Sequence, residues 1–151
     1  MLMLGKDYAG QHCGLARALE LVGERWTLLI LRDAFFGVQR FSDFSESLQL
    51  SRGVLADRLR GLVDAGLLER RPDPDHAARS LYVLTESGRA VWPALHALAH
   101  WGLQFMDSPP PQQFIHHSCD APLDAHGVCT ACGHAPPPEA VRDVLTSTAA
   151  E

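Results

Sequence analysis

No apolar run in the 151 residues approaches the roughly 20 that a membrane-spanning helix requires. The first residues, MLMLGKDYAG, lack the basic n-region and the apolar h-region of a secretory leader, so a cytoplasmic protein with no membrane partner is expected. Catalytic signatures are also missing. There is no HExxH, no GxSxG and no Gly-rich phosphate loop, and no HxE precedes the CxxC as a zinc deaminase would need. The expectation is therefore not an enzyme, and a thiol or zinc enzyme stands only as an alternative. An excess of positive charge is absent too, the formal net charge being -5. That deficit is local. Residues 11–105 carry eleven Arg against eleven Asp and Glu, while 106–151 carry Arg142 alone against six acids. A neutral body can still present a basic face to nucleic acid. Cysteine is sparse and uneven, with Cys13 near the start and Cys119, Cys129 and Cys132 together near the end. In a reducing compartment that grouping points to metal or redox chemistry rather than structural disulfides.

What is present reads as an ordinary globular chain, 46% hydrophobic and 21% charged. The length suits one main domain with a small appendage. A first helix is expected from about Cys13 to Val22, where Leu15, Ala18, Leu19 and Val22 recur at helical spacing and Gly23 ends the run. A second, from about Trp26 to Phe35, is apolar on nearly every side and should be the buried central helix. A short helix from Arg40 to Leu48 follows. Ser51 is a good N-cap for a helix over 52–65, in which Leu55, Leu59, Leu62 and Val63 form the apolar face and Gly53, Asp57, Arg60 and Asp64 the opposite one.

After Gly66, the runs LLERRPDP and SLYVLT predict a β-hairpin whose Pro/Asp-rich loop, with Arg70, Arg71, His76 and Arg79, forms a basic, mobile tip. Thr85 can cap a long last helix from Glu86 to about Phe105. Its expected seam is Val91, Leu95, Leu98, Gly102 and Phe105, with Trp92 and Trp101 beside it, and Pro93 should kink it. The organisation that results is an N-terminal arm (1–12), a helical domain (13–105), a Pro-rich linker (106–114) and a Cys/His tail (115–151). The fold class is mainly α (α+β).

Helix, helix, short helix, turn, capped helix, hairpin and long helix is the order of a winged helix-turn-helix. Cys13, Gly23 with Arg25-Trp26-Thr27, Arg40-Phe41, Leu55-x2-Arg58-Leu59, Gly66-Leu67 and Leu84-Thr85-x2-Gly88 stand in one order and spacing. Over about residues 13–105 the chain resembles the HxlR-type regulators of the MarR-like group. The resemblance implies a winged helix-turn-helix transcription regulator that binds a pseudo-palindromic double-stranded DNA operator as a homodimer joined through terminal helices. A repressor answering an unidentified small-molecule or redox effector is expected. A winged helix serving only protein interaction is the alternative.

Direct readout is expected from Ser51, Arg52, Gly53, Asp57 and Arg58. Ser51 caps the helix and can reach a phosphate, Arg52 and Arg58 suit phosphate or a guanine edge, and Gly53 permits close backbone approach. Asp57 either accepts from cytosine or pairs with a nearby arginine. Arg40, Arg70, Arg71 and Arg79 would add phosphate contacts, although any one of these arginines alone could be a solvated surface charge. Arg25, beside Trp26, reads as structural. Several HxlR-type proteins sense electrophiles or oxidants with a cysteine at the place of Cys13; the alternative is a small, partly buried core residue. Leu29, Leu98 and Trp101 could line an apolar effector pocket or be plain core.

The tail, FIHHSCDAPLDAHGVCTACGH, contains His116-x2-Cys119 and Cys129-x2-Cys132-Gly133, separated by nine residues. Two ligand pairs with two-residue gaps are how zinc-ribbon knuckles place thiolates on one metal, so His116, Cys119, Cys129 and Cys132 are the expected ligands of a structural Zn in a miniature zinc-ribbon-like appendage. His117, His126 and His134 could compete. A disordered tail, or a Cys129/Cys132 redox pair, are the alternatives.

Overall fold

The computed structural model describes residues 7–107 and 112–145. The linker stretch 108–111, the first six residues of the arm and the last six of the tail lie outside the described residues. The chain divides into two compact units, residues 1–34 with 38–85, and residues 35–37 with 86–151.

The first unit is a winged helix-turn-helix. Helix α1 (Gly14–Val22) starts at Cys13, whose extended backbone and sulfur serve as the N-cap. It stops at Gly23, where a Cβ would overlap the Leu19 carbonyl oxygen. Helices α2 (Thr27–Phe35) and α3 (Phe41–Leu48) follow, and Gln49 closes α3 in the left-handed region at φ 51°. That bend lets the chain turn directly into α4 (Arg52–Asp64), capped by Ser51, whose hydroxyl accepts from the Val54 amide. Leu55, Leu59 and Leu62 of α4 are buried with Ile30, Leu31 and Phe44, so the period read from the sequence faces the core. Leu29 is exposed. Leu59→Ala should cost about 2–5 kcal/mol through the cavity it leaves. Calorimetry would then show a fall in Tm of roughly 4–20 °C.

The wing is an antiparallel pair, β1 (Leu68–Asp73) and β2 (His76–Leu84), with Leu68 opposite Leu84 and Arg70 opposite Tyr82. The expected long basic tip is therefore corrected. Pro74 and Asp75 alone form the turn, and Arg70, Arg71, His76 and Arg79 lie on strands; Arg70, Arg71 and His76 stand opposite Tyr82, Leu81 and Asp73, while Arg79 lies where the register shifts.

In the second unit the long last helix is also corrected. It forms as α5 (Glu86–Arg89) and α6 (Trp92–Phe105), with Pro93 in the first turn of α6, where a missing N–H costs no helical bond. The buried side of α6 is Trp92, Leu95 and His96. Leu98, Trp101 and Phe105 of the expected seam are 52%, 60% and 67% exposed. The reason is an aromatic cluster: Phe35, Phe36 and Phe114 gather around Trp92, and Phe114 also packs its ring 5.0 Å from that of His96. Helices α5 and α6 thereby group with the Cys/His segment, whereas the sequence suggested a boundary at residue 105. That segment forms a three-stranded sheet in the order β4-β3-β5, from β3 (Gln112–His116), β4 (Ala121–Pro122) and β5 (Val141–Leu145). A single 3-10 turn at Pro138–Ala140 leads into β5.

Candidate nucleic-acid surface and candidate metal centre

The N-terminal end of α4 and the inner face of the wing enclose a cleft of about 330 Å³. Four of the arginines singled out in the sequence line it: Arg40, Arg52, Arg70 and Arg79, with Phe41 and Tyr82 as aromatic floor and the hydroxyls of Ser42 and Ser80 beside them. No carboxylate is among the lining residues. Arg52 lies 5.2 Å over the Phe41 ring, and Arg70 lies 5.9 Å over Tyr82 while donating to Ser80 Oγ at 3.1 Å. Stacking of this kind holds a guanidinium in place without neutralising it. Ser51 and Gly53 sit exposed at the start of α4.

The other predicted residues are placed differently. Arg58 pairs with Glu24 at 3.1 Å and Asp57 at 3.2 Å, and donates to the Arg25 carbonyl. Asp57 also lies 3.7 Å from Arg60. Arg71, next to Arg70 and so on the opposite strand face, donates to Glu69 at 2.7 Å. Arg25 lies 5.4 Å from the Trp26 ring. Sequence reading missed Ser42, Ser80 and Tyr82; the two-residue alternation along β2 was the available signal for the last two.

Arg40 has a second task. Its guanidinium donates to both Asp73 oxygens, at 2.9 and 3.2 Å, and to Asp75 at 2.6 Å, so the residue that starts α3 also grips the wing turn. Asp73 is buried. The Arg40 hydrogen bond, helped by the Asp75 amide, holds the Asp73 carboxyl below its ordinary value of 3.8, and the two carboxylates raise Arg40 further still. A depressed carboxyl stabilises the fold above its unfolded pKa, and that contribution disappears as pH falls through the folded value. Asp73→Asn should therefore be less stable than the parent at pH 7, and the difference should shrink below about pH 3.8, as urea titrations at neutral and acid pH would measure.

Cys13 is exposed in the single chain, and its Sγ accepts from the Ala16 amide at 3.4 Å.

In the second unit, His116, Cys119, Cys129 and Cys132 come together, their four ligand atoms all within 4.8 Å of one another. Cys132 Sγ lies 3.6 Å from His116 Nδ1. Metal–sulfur bonds of about 2.3 Å and metal–nitrogen bonds of about 2.0–2.1 Å give a tetrahedron with edges of roughly 3.5–3.8 Å. The cluster is thus of the right size to hold a metal ion. Each pair is made by the same turn. The Asp120 amide donates to the His116 carbonyl at 2.9 Å with φ 49°, and the Gly133 amide donates to the Cys129 carbonyl at 2.9 Å with φ 72°. The amides of Cys132 and Ala131 point at the Cys129 sulfur and lower that thiol to about 6, while hydrogen bonding with Cys132 and burial push Cys119 up to about 11. Thiols crowded in this way resist ionising together unless a cation neutralises them. His117, His126 and His134 lie outside the cluster.

One partner was not foreseen. Buried His96 places Nε2 2.9 Å from the Asp124 carbonyl oxygen, and Asp124 Oδ1 accepts from the His126 and Val128 amides. A histidine in a helix carries no sequence signal that distinguishes a buried one from an exposed one.

Residues 21–109 match the HxlR-like helix-turn-helix family. An uncharacterized HTH-type transcriptional regulator of Mycobacterium tuberculosis is 46% identical over 132 residues, covering 86% of this chain and 82% of that protein. A match of that length runs past the helical core into the Cys/His segment. The crystal structure of PA1607 is similar with a TM-score of 0.61 at 41% identity, over 64% of this chain and 68% of that one. The reduced form of the transcriptional regulator YodB from B. subtilis is similar with a TM-score of 0.55 at 30% identity, over 64% of this chain and 97% of that one.

Proposed function

The chain belongs to the HxlR-like helix-turn-helix family, and from that premise we propose that it is a cytoplasmic, homodimeric repressor that seats α4 in the major groove of a pseudo-palindromic operator. The observation that carries this reading is the cleft free of carboxylates, where Arg52 at the start of α4 and Arg70 and Arg79 of the wing converge. These three take the phosphate or base-edge contacts, with Ser51 and Gly53 at the point of closest approach. Arg40 sets the wing turn through Asp73 and Asp75, and Arg58, Asp57 and Arg71 are held in local ion pairs. Exposed apolar residues on the first and last helices, Leu15 and Leu19 in α1 and Leu98, Trp101 and Phe105 in α6, supply the surface a homodimer buries. A mobility-shift assay with the chain's own upstream region at two salt concentrations tests it. A shift at micromolar protein that weakens with salt is expected; no salt-sensitive shift would favour a protein-interaction module.

The metal in this reading is a structural Zn on His116, Cys119, Cys129 and Cys132. A closed set of four protein ligands leaves no position for substrate, which argues against the zinc-enzyme alternative. Metal analysis of the purified protein should find one Zn per chain. The signal is assigned to Cys13 as a thiol sensor. YodB, 30% identical, has been solved in quinone-bound and diamide-treated forms, and Cys13 is exposed at the cap of α1. Unchanged operator release by Cys13→Ser under a quinone would end that assignment.

A further inference from the structure

In the second unit the metal ligands are tied to α6 through one loop. Asp124 stands between Cys119 and Cys129, and its side chain and amide hold the turn as far as Val128. Its carbonyl oxygen meets His96 Nε2. A carbonyl only accepts, so Nε2 carries the proton, and this bond replaces the water that a ring 1% exposed has lost. The ligand turn shares backbone bonds with the same loop: Cys129 bridges Leu123, and the Thr130 amide donates to the Pro122 carbonyl at 3.0 Å. Whatever holds the ligands together therefore holds the loop that anchors α6.

Cys132 is exposed, whereas Cys129 is buried one turn away, with the two sulfurs within 4.8 Å. We propose that this thiolate cluster is a second oxidant-responsive site, separate from Cys13, in which a two-electron thiol oxidant closes a Cys129–Cys132 disulfide, expels the metal and loosens α6. With a diazene oxidant, the Cys132 thiolate adds to the N=N bond, forming an S–N bond, and a proton from water goes to the other nitrogen. The Cys129 thiolate then attacks the Cys132 sulfur, the S–S bond forms, and the S–N bond breaks. The hydrazine leaves with the electron pair and takes a second proton. Both metal–sulfur bonds to these residues are lost, and His116 with Cys119 makes too small a ligand set to retain a Zn ion, which passes to solvent or chelator. The freed loop no longer satisfies His96. Leu98, Trp101 and Phe105 stand on the helix so loosened, so the effect on DNA rests on the homodimeric reading above.

The test uses the full chain carrying Cys13→Ser, a substitution that keeps a capping side chain at the start of α1. The zinc-loaded protein is titrated with diamide in the presence of a colorimetric zinc chelator. Expected are one Zn released per chain and two thiols lost. Amide exchange across Trp92–Phe105 should speed up by about tenfold or more. Affinity for a duplex of the chain's own upstream region should fall by about tenfold or more. Dithiothreitol with added Zn should reverse each change. The proposal is overturned if the chain carries no Zn as purified, or if it keeps metal and thiols under excess diamide. Zn release with unchanged exchange in α6 also overturns it, because the loop would then transmit nothing. If the untreated protein shifts no DNA, the operator reading fails by itself, and metal release and exchange still decide the thiol site.

Discussion

If the proposed Zn is bound, chelating it from the intact chain, or replacing Cys129 with Ala, is expected to abolish the three-stranded sheet over residues 112–145. The reason is a shortage of core. Among the described residues, the hydrophobic ones buried in that segment are Phe114, Ile115, Leu123, Cys129 and Val141, and β4 is two residues long. A set this small does not offset the conformational entropy of ordering the strands. Structural Zn supplies an apparent binding energy of about 10–16 kcal/mol near neutral pH, which is folding energy wherever no site preexists in the unfolded chain. Amide exchange before and after chelation would show protection lost throughout β3 and β5. It should also fall in the Trp92–His96 turn, since Phe114 and Asp124 cover that turn from the same segment. Because a metal must displace thiol protons, the concentration of chelator needed should fall as pH is lowered. Protection unchanged after complete metal removal would mean that the sheet stands on its own packing.

Arg52→Ala combined with Arg79→Ala is expected to weaken operator binding by roughly 10- to 100-fold at low salt and to lower the salt slope by about 2. Both side chains line the cleft, and the ion pairs of the described residues leave them unneutralised. Arg71→Ala, one residue along β1 from Arg70, is the control. Its guanidinium is already paired with Glu69 on the other strand face, so its removal should change affinity less than about twofold. Fluorescence anisotropy on one duplex at several salt concentrations separates the two outcomes. Equal losses for Arg71 and Arg79 would show that the inner face of the wing has no special part in binding.

The capped helix was legible because its signals are local. Ser51 and the Leu55, Leu59 and Leu62 period need no information from elsewhere in the chain to define a start and a buried face. The ligand pairs were legible for the same reason, since a two-residue gap sets two side chains on one turn whatever surrounds it. Arg40 was different. Nothing near it in sequence shows that a carboxylate thirty-three residues away will hold its guanidinium. Arg70 and Arg71 look alike in a string of letters, and strand alternation separates them only once the register with Tyr82 and Leu81 is known. The expected seam of α6 went astray because helical spacing reports that apolar residues align, not which of two apolar stripes a neighbour covers.

By itself, then, the amino-acid sequence determined the absence of a long apolar span, the order of elements from α1 through the wing, the helix-turn-helix with its cap, the family, and the four residues able to meet at a metal. Each depends on composition or on spacing within a few turns of backbone. Only the tertiary structure decided which arginines share a cleft, that Arg40 grips the wing turn, and that His96 joins α6 to the Cys/His segment. Those outcomes follow from contacts between residues far apart in the chain, where burial and charge pairing, rather than local spacing, select the partner.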